Sequence, residues 1–192
     1  MSGPSPGQRA PEIDAIASNG QRFVLSKQEG LCTVVYFFPK AFTPGCTAET
    51  KMFRDNYVEL LLAGANLIGI STDDEKTQCE FAGSTRAPFP ILPDADHKIC
   101  RAYDVEFEAA GVAFRGSFLI DKTGTVRHQV VNDLPLGRNV DEMLRMVDAL
   151  QFTEEHGEVC PAEWKPGKAT IKADPKQSKV ADQMASGAQP GR

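Results

Sequence analysis

The sequence predicts an α/β fold, a central mixed β-sheet flanked by helices. Residues 33 to 38 form an unbroken β-branched and aromatic run that suits a strand buried on both faces. A helical apolar period follows it, and a second short strand and helix start come next, giving the order β-α-β-α. A β-hairpin and a last amphipathic helix then complete the pattern.

Each element has its own signal. After the first strand, Phe53, Tyr57, Leu60 and Leu61 fall at i, i+4, i+7 and i+8, one face of a helix that Gly64 should stop. Residues 66 to 71 read as the second strand, and Asp73-Asp74-Glu75 supply the acidic residues that suit a helix N-terminus. Pro90-Ile91-Leu92 is a brief edge segment, and residues 97 to 103 are a short helix. Residues 112 to 120 form a strand, Asp121-Lys122-Thr123-Gly124 a turn, and residues 125 to 131 the returning partner. Val140, Met143, Leu144, Val147 and Leu150 mark the final helix. This is the general plan of thioredoxin-like folds. Residues 1 to 10 and 173 to 192 read as tails, one rich in Pro, Gly and Ser, the other poor in large apolar side chains. The expected division is a folded domain over residues 1 to 153 and a C-terminal arm over residues 154 to 192.

Composition narrows the function. At 192 residues with 41% hydrophobic and 24% charged, the chain is one ordinary domain. A domain of this size buries roughly 70% of its unfolded surface, so its core needs neither metal nor disulfide. A net charge of -5 offers no broad basic field, which argues against nucleic acid and anionic membrane as partners. The longest apolar run, Val34-Val35-Tyr36-Phe37-Phe38, is far short of the ~18 residues of a membrane-crossing helix. The start of the chain lacks the basic and apolar regions of a signal peptide, so the expected location is the cytoplasm. His97, His128 and His156 lack metal-ligand spacing, and neither a Walker lysine nor a dinucleotide glycine fingerprint is present. No metal and no cofactor is expected. Five cysteines, at 32, 46, 79, 100 and 160, are too sparse for a disulfide scaffold and are either inert core residues or working thiols.

Cys46 is the informative one. It lies in Phe38-Pro39-Lys40-Ala41-Phe42-Thr43-Pro44-Gly45-Cys46-Thr47-Ala48-Glu49, between the buried strand and the amphipathic helix. Unpaired N–H groups at a helix N-terminus favour a thiolate, and the thiolate is the nucleophile. Thr43 can turn its hydroxyl toward that sulfur or toward an oxygen beside it, while Pro39 and Pro44 stiffen the loop. Arg115 is the candidate cation, because period 2 sets it on the strand face opposite Phe114 and Phe118. Two bland readings stand beside these: a Cys46 that is a small buried hydrophobe, and an Arg115 paired with a surface carboxylate.

The stretch Pro39-x-x-x-Thr43-x-x-Cys46, with Arg115 on a later strand, resembles the active-site motif of peroxiredoxins, thiol peroxidases of thioredoxin-like fold. The resemblance covers about residues 8 to 172. It implies that Cys46 is the peroxidatic cysteine, that Thr43 and Arg115 orient the peroxide and stabilise the leaving oxygen, and that Pro39 screens the sulfenic acid. Glu49 is where the family often has a glutamate that helps hold the arginine.

A sulfenic acid must condense with a second thiol before it oxidises further. Residues 156 to 167, with Val159-Cys160-Pro161 and Trp164, look like the C-terminal segment of typical two-cysteine peroxiredoxins. That likeness implies Cys160 as the resolving cysteine, supplied by a second subunit of a homodimer or of a ring of dimers. The loop Phe42-Thr43-Pro44-Gly45-Cys46-Thr47 instead resembles Q-type members, many of which place the resolving cysteine where this chain has Lys51. Others use the next helix, which makes Cys79 the rival resolver, with core packing as its alternative role. Cys32 and Cys100 carry no motif and read as packing residues. The glycine-rich insertion and C-terminal Tyr-Phe pair tied to over-oxidation in some members are unmatched near residues 83 to 88 and at Val180-Ala181, which implies resistance to excess peroxide. The implied partners are hydrogen peroxide or an alkyl hydroperoxide and a thioredoxin-like dithiol. A redox sensor or holdase switched by the same disulfide is the alternative from another class.

Overall fold

A computed structural model describes residues 3 to 28 and 30 to 172 of the chain. The tail at residues 173 to 192, with Val180-Ala181, lies outside the described residues. The elements run β1 (Asp14–Ile16), β2 (Arg22–Val24), β3 (Cys32–Phe37), α1 (Pro44–Asp55), α2 (Tyr57–Leu62), β4 (Ala65–Ser71), α3 (Glu75–Thr85) and β5 (Ile91–Pro93). They continue as α4 (Lys98–Ala102), β6 (Glu106–Phe107), β7 (Val112–Ala113), β8 (Arg115–Ile120), β9 (Val126–Asn132), α5 (Val140–His156), β10 (Glu158–Val159) and β11 (Ile171–Lys172).

The central sheet has the order β5-β4-β3-β8-β9. Pairing is parallel from β5 to β3 and antiparallel from β3 through β9, so the sheet is mixed as expected. All six residues of β3 are buried, which is what its continuous apolar run requires of a central strand. Alternation splits them between two cores. Val34, Tyr36 and the following Phe38 pack with Phe53 of α1, Leu60 of α2, Phe81 of α3 and Val147 of α5. Val35 and Phe37 face Ile99, Tyr103 and Phe118 on the other side, where Ile13, Phe23 and Leu25 close the layer.

Two predicted elements are broken in the structure. The helix expected through Leu61 ends at Asp55, and Asn56 (φ -102°, ψ 5°) joins it to α2. The side-chain amide of Asn56 donates to the Met52 carbonyl, a local bond that competes with helix continuation. Phe53 and Leu60 stay buried across the joint, while Leu61 faces solvent. The strand expected over residues 112 to 120 divides at Phe114, because β7 pairs with β6 whereas β8 joins the central sheet. Between β8 and β9 the predicted turn holds, with Gly124 at φ 83° and the Asp121 carboxylate accepting from the Thr123 and Thr125 amides.

The segment after α5 packs on its own chain. Gly157 (φ 65°) ends α5, and β10 pairs with β11. Trp164 is 2% exposed, its ring 5.1 Å from that of Phe152, and its carbonyl accepts from Arg145.

Candidate active site

The site forms where β3 ends and α1 begins. Pro44 occupies the first turn of α1, where a missing N–H costs nothing. Thr43 is the N-cap: its hydroxyl oxygen accepts from the Cys46 amide at 3.4 Å and its O–H donates to the Lys40 carbonyl at 3.1 Å. The Thr43 hydroxyl thus ties the loop to the first turn of α1. Pro39 is half-buried beside this turn, and Cys46 is 1% exposed.

Arg115 reaches the same place from β8. Its Nη1 lies 3.8 Å from Cys46 Sγ and 3.3 Å from a carboxylate oxygen of Glu49, while its Nε donates to the Leu134 carbonyl at 2.7 Å. Phe118 lies on the opposite face, as the alternation predicts. The surface-carboxylate alternative fails, since the carboxylate that meets Arg115 is buried Glu49. A guanidinium at this distance stabilises negative charge on the sulfur and on an oxygen bound to it.

Arg138 completes the cluster, and the sequence reading had missed it. Its Nε and Nη2 donate to the two oxygens of Glu49, each at 2.8 Å. Its remaining donors go to the carbonyls of Gly116 and Phe37 and to the Ser117 hydroxyl, and the guanidinium lies 5.4 Å from the centre of the Tyr36 ring. With side-chain exposures of 3% and 7%, Arg138 and Glu49 are a bidentate, desolvated pair that anchors the carboxylate touching Arg115. The signal available was Arg138 directly before the Asn139 cap of α5, a helix end where a cation is disfavoured unless another partner claims it.

The other cysteines differ. Cys32 and Cys100 are fully buried, as expected of packing residues. Burial pushes the Cys32 thiol up to about 11, and burial together with the nearby Asp94 carboxylate pushes Cys100 higher still. Cys79 is exposed on α3 and its thiol donates to the Ser18 carbonyl at 3.3 Å, so the core-packing reading of this residue does not hold. Cys160 directly follows β10, half-buried, its sulfur 3.7 Å from both the Thr153 hydroxyl and the Ala149 carbonyl of α5. His128 is half-buried on β9, and loss of solvent lowers its pKa. Among the described residues no group of three or more His, Cys, Asp or Glu is placed to hold a metal, and no helix is long and apolar enough to cross a membrane.

A buried thiol faced by an arginine at a capped helix start, on a thioredoxin-like sheet, is an arrangement suited to thiol chemistry. Residues 6 to 129 match the AhpC/TSA family model, and residues 149 to 183 match that of the C-terminal domain of 1-Cys peroxiredoxin. Alkyl hydroperoxide reductase C of Helicobacter pylori is 46% identical over 177 residues, covering 88% of this chain and 89% of that protein. Thioredoxin peroxidase of Echinococcus granulosus is 42% identical over 77% of this chain and 80% of its own length. The crystal structure of reduced 2-Cys peroxiredoxin from Plasmodium vivax superposes with a TM-score of 0.81 at 29% identity, covering 92% of this chain and 98% of that one. The chain belongs to the AhpC/TSA family of peroxiredoxins, and its activity is that of a peroxidase.

Proposed function

We propose that the Cys46 thiolate attacks the O–O bond of hydrogen peroxide or an organic hydroperoxide. It takes one oxygen as a sulfenic acid, and the other oxygen leaves, after protonation, as water or an alcohol. Arg115 steadies the charge on sulfur and leaving oxygen, Glu49 and Arg138 fix Arg115, Thr43 braces the pocket loop, and Pro39 screens the product. The observation that carries this reading is the Arg115 guanidinium 3.8 Å from a sulfur held at the Thr43-capped start of α1.

The partner subunit's Cys160 then condenses with the sulfenic acid, forming a disulfide and releasing water. Because Cys46 is 1% exposed, the first turn of α1 unwinds to present it. A thioredoxin-like dithiol reduces the disulfide and is itself oxidised, a reading supported by the thioredoxin peroxidase relative. The working unit is a homodimer, with a ring of dimers open to it, acting in the cytoplasm. Cys79 stands as the rival resolver within one chain.

Catalytic recycling tests this. The protein should consume many equivalents of hydrogen peroxide in the presence of thioredoxin, thioredoxin reductase and NADPH. Cys46→Ser should consume none, and Cys160→Ser should stop after one equivalent. Multiple turnovers by Cys46→Ser would overturn the assignment of the attacking thiol, and multiple turnovers by Cys160→Ser would overturn that of the resolver.

A further inference from the structure

We propose that Asp73 is a positioning residue for the peroxidase reaction, fixing through its carboxylate the loop that roofs Cys46. The inference rests on Cys46 as the attacking thiol.

The loop between β3 and α1 carries Pro39, Ala41, Phe42 and Thr43, and it is not a relaxed turn. Phe42 has φ 63°, a left-handed conformation that costs a bulky residue free energy, and the residue is 51% exposed. Such a turn persists only where its surroundings over-determine it. One tie is internal, from the Thr43 hydroxyl to the Lys40 carbonyl. A tie from outside is Asp73, whose Oδ2 accepts from the Ala41 amide at 2.8 Å, across 32 residues of sequence.

Asp73 is in turn the end of a directed chain. Gln78, fully buried on α3, donates from Nε2 to Ser71 Oγ at 2.6 Å and to the Leu92 carbonyl at 3.2 Å. Ser71, fully buried at the end of β4, donates its O–H to the same Asp73 Oδ2 at 2.7 Å. The bonds from Gln78 to Ser71 and from Ser71 to Asp73 run toward one carboxylate oxygen, and that oxygen accepts from the loop. Phe81, one helical turn beyond Gln78, meets the Phe42 ring edge to face at 5.4 Å, so α3 steadies the turn at two points. The peroxidase thereby gains a second support besides the Glu49 cluster: Arg115 sets the charge beside the sulfur, and Asp73 holds the loop that leads into its helix. None of the contacts uses Asp73 Oδ1, so the need is for an acceptor at the Oδ2 position.

The test is the single-turnover rate at which hydrogen peroxide oxidises Cys46, read by rapid quench and peptide mass, alongside the rate of the later disulfide step. Asp73→Ala should slow oxidation of Cys46 by about 10- to 100-fold, the cost of a misplaced pocket wall, without slowing disulfide formation. Asp73→Asn, which keeps an acceptor oxygen, should recover most of the rate, and Ser71→Ala should show an intermediate loss. An Asp73→Ala protein that oxidises at the parent rate, or an Asp73→Asn protein as slow as Asp73→Ala, would overturn the inference. If Asp73→Ala fails to fold, folded Ser71→Ala decides, with slowed oxidation supporting the role and the parent rate overturning it. Cys46→Ser separates the two levels: residual peroxidase activity in it removes the underlying reading as well, whereas an inactive Cys46→Ser beside an unaffected Asp73→Ala removes only the role of Asp73.

Discussion

Cys46 and Cys100 are equally hidden, at 1% and 0% exposure, and each sits by a helix start, yet opposite charges face them. Arg115 Nη1 lies 3.8 Å from the Cys46 sulfur. Beside Cys100 stands Asp94, whose carboxylate accepts from the Ile99 and Cys100 amides and, with burial, holds the thiol protonated. Burial makes a thiol inert by itself. A fixed cation, kept in place by the Glu49–Arg138 pair, faces Cys46 where a carboxylate faces Cys100, and in the proposed reaction that difference sets the attacking sulfur apart.

The comparison breaks most sharply at Arg115. Arg115→Ala should lower the rate of Cys46 oxidation by about 100-fold or more, and Arg115→Lys should recover only part of it, because an ammonium cannot meet Cys46, Glu49 and the Leu134 carbonyl from one planar fork. Stopped-flow oxidation with hydrogen peroxide reads this. Arg138→Ala should cost about 3–5 kcal/mol in urea unfolding, because it leaves the buried Glu49 carboxylate short of a partner and removes the bonds Arg138 gives to the Gly116 and Phe37 carbonyls.

The inert thiols make a prediction of their own. In the native state Cys32 and Cys100 keep their protons well above the ordinary value of 9.0, whereas the unfolded chain releases them there. The native state therefore binds more protons, and stability falls as pH rises, from about pH 9 through 11 for Cys32 and on to higher pH for Cys100, by up to about 1.4 kcal/mol per pH unit for each thiol. Urea unfolding of Cys32→Ala and Cys100→Ala between pH 8 and 10.5 should show a flatter decline. The smallest expected effect is at exposed Cys79, where Cys79→Ser should change steady-state turnover by no more than about twofold.

Much of this was readable from residues alone. The β3 run, the place of Cys46 at the start of α1, the Asp121 to Gly124 turn and the face of Arg115 follow from local periodicity and turn chemistry, and each stands where those rules put it, whereas Thr43 as the cap and Pro44 inside the first turn of α1 were not read. The break at Asn56 was hidden because Phe53 and Leu60 keep their burial across it. Arg138 and Asp73 were hidden for a different reason. Their roles rest on contacts spanning 89 residues to Glu49 and 32 residues to Ala41, and no period or spacing encodes such distances. The burial of Trp164 against Phe152 of its own chain is likewise a tertiary fact.

The most direct measurement is a peptide map of the reduced protein, without reductant, after one equivalent of hydrogen peroxide. The account predicts a covalent dimer in which Cys46 of one chain is joined to Cys160 of the other, with Cys32 and Cys100 unmodified. A monomer lighter by two hydrogens with Cys46 joined to Cys79, or oxidation falling first on Cys32 or Cys100, would contradict it.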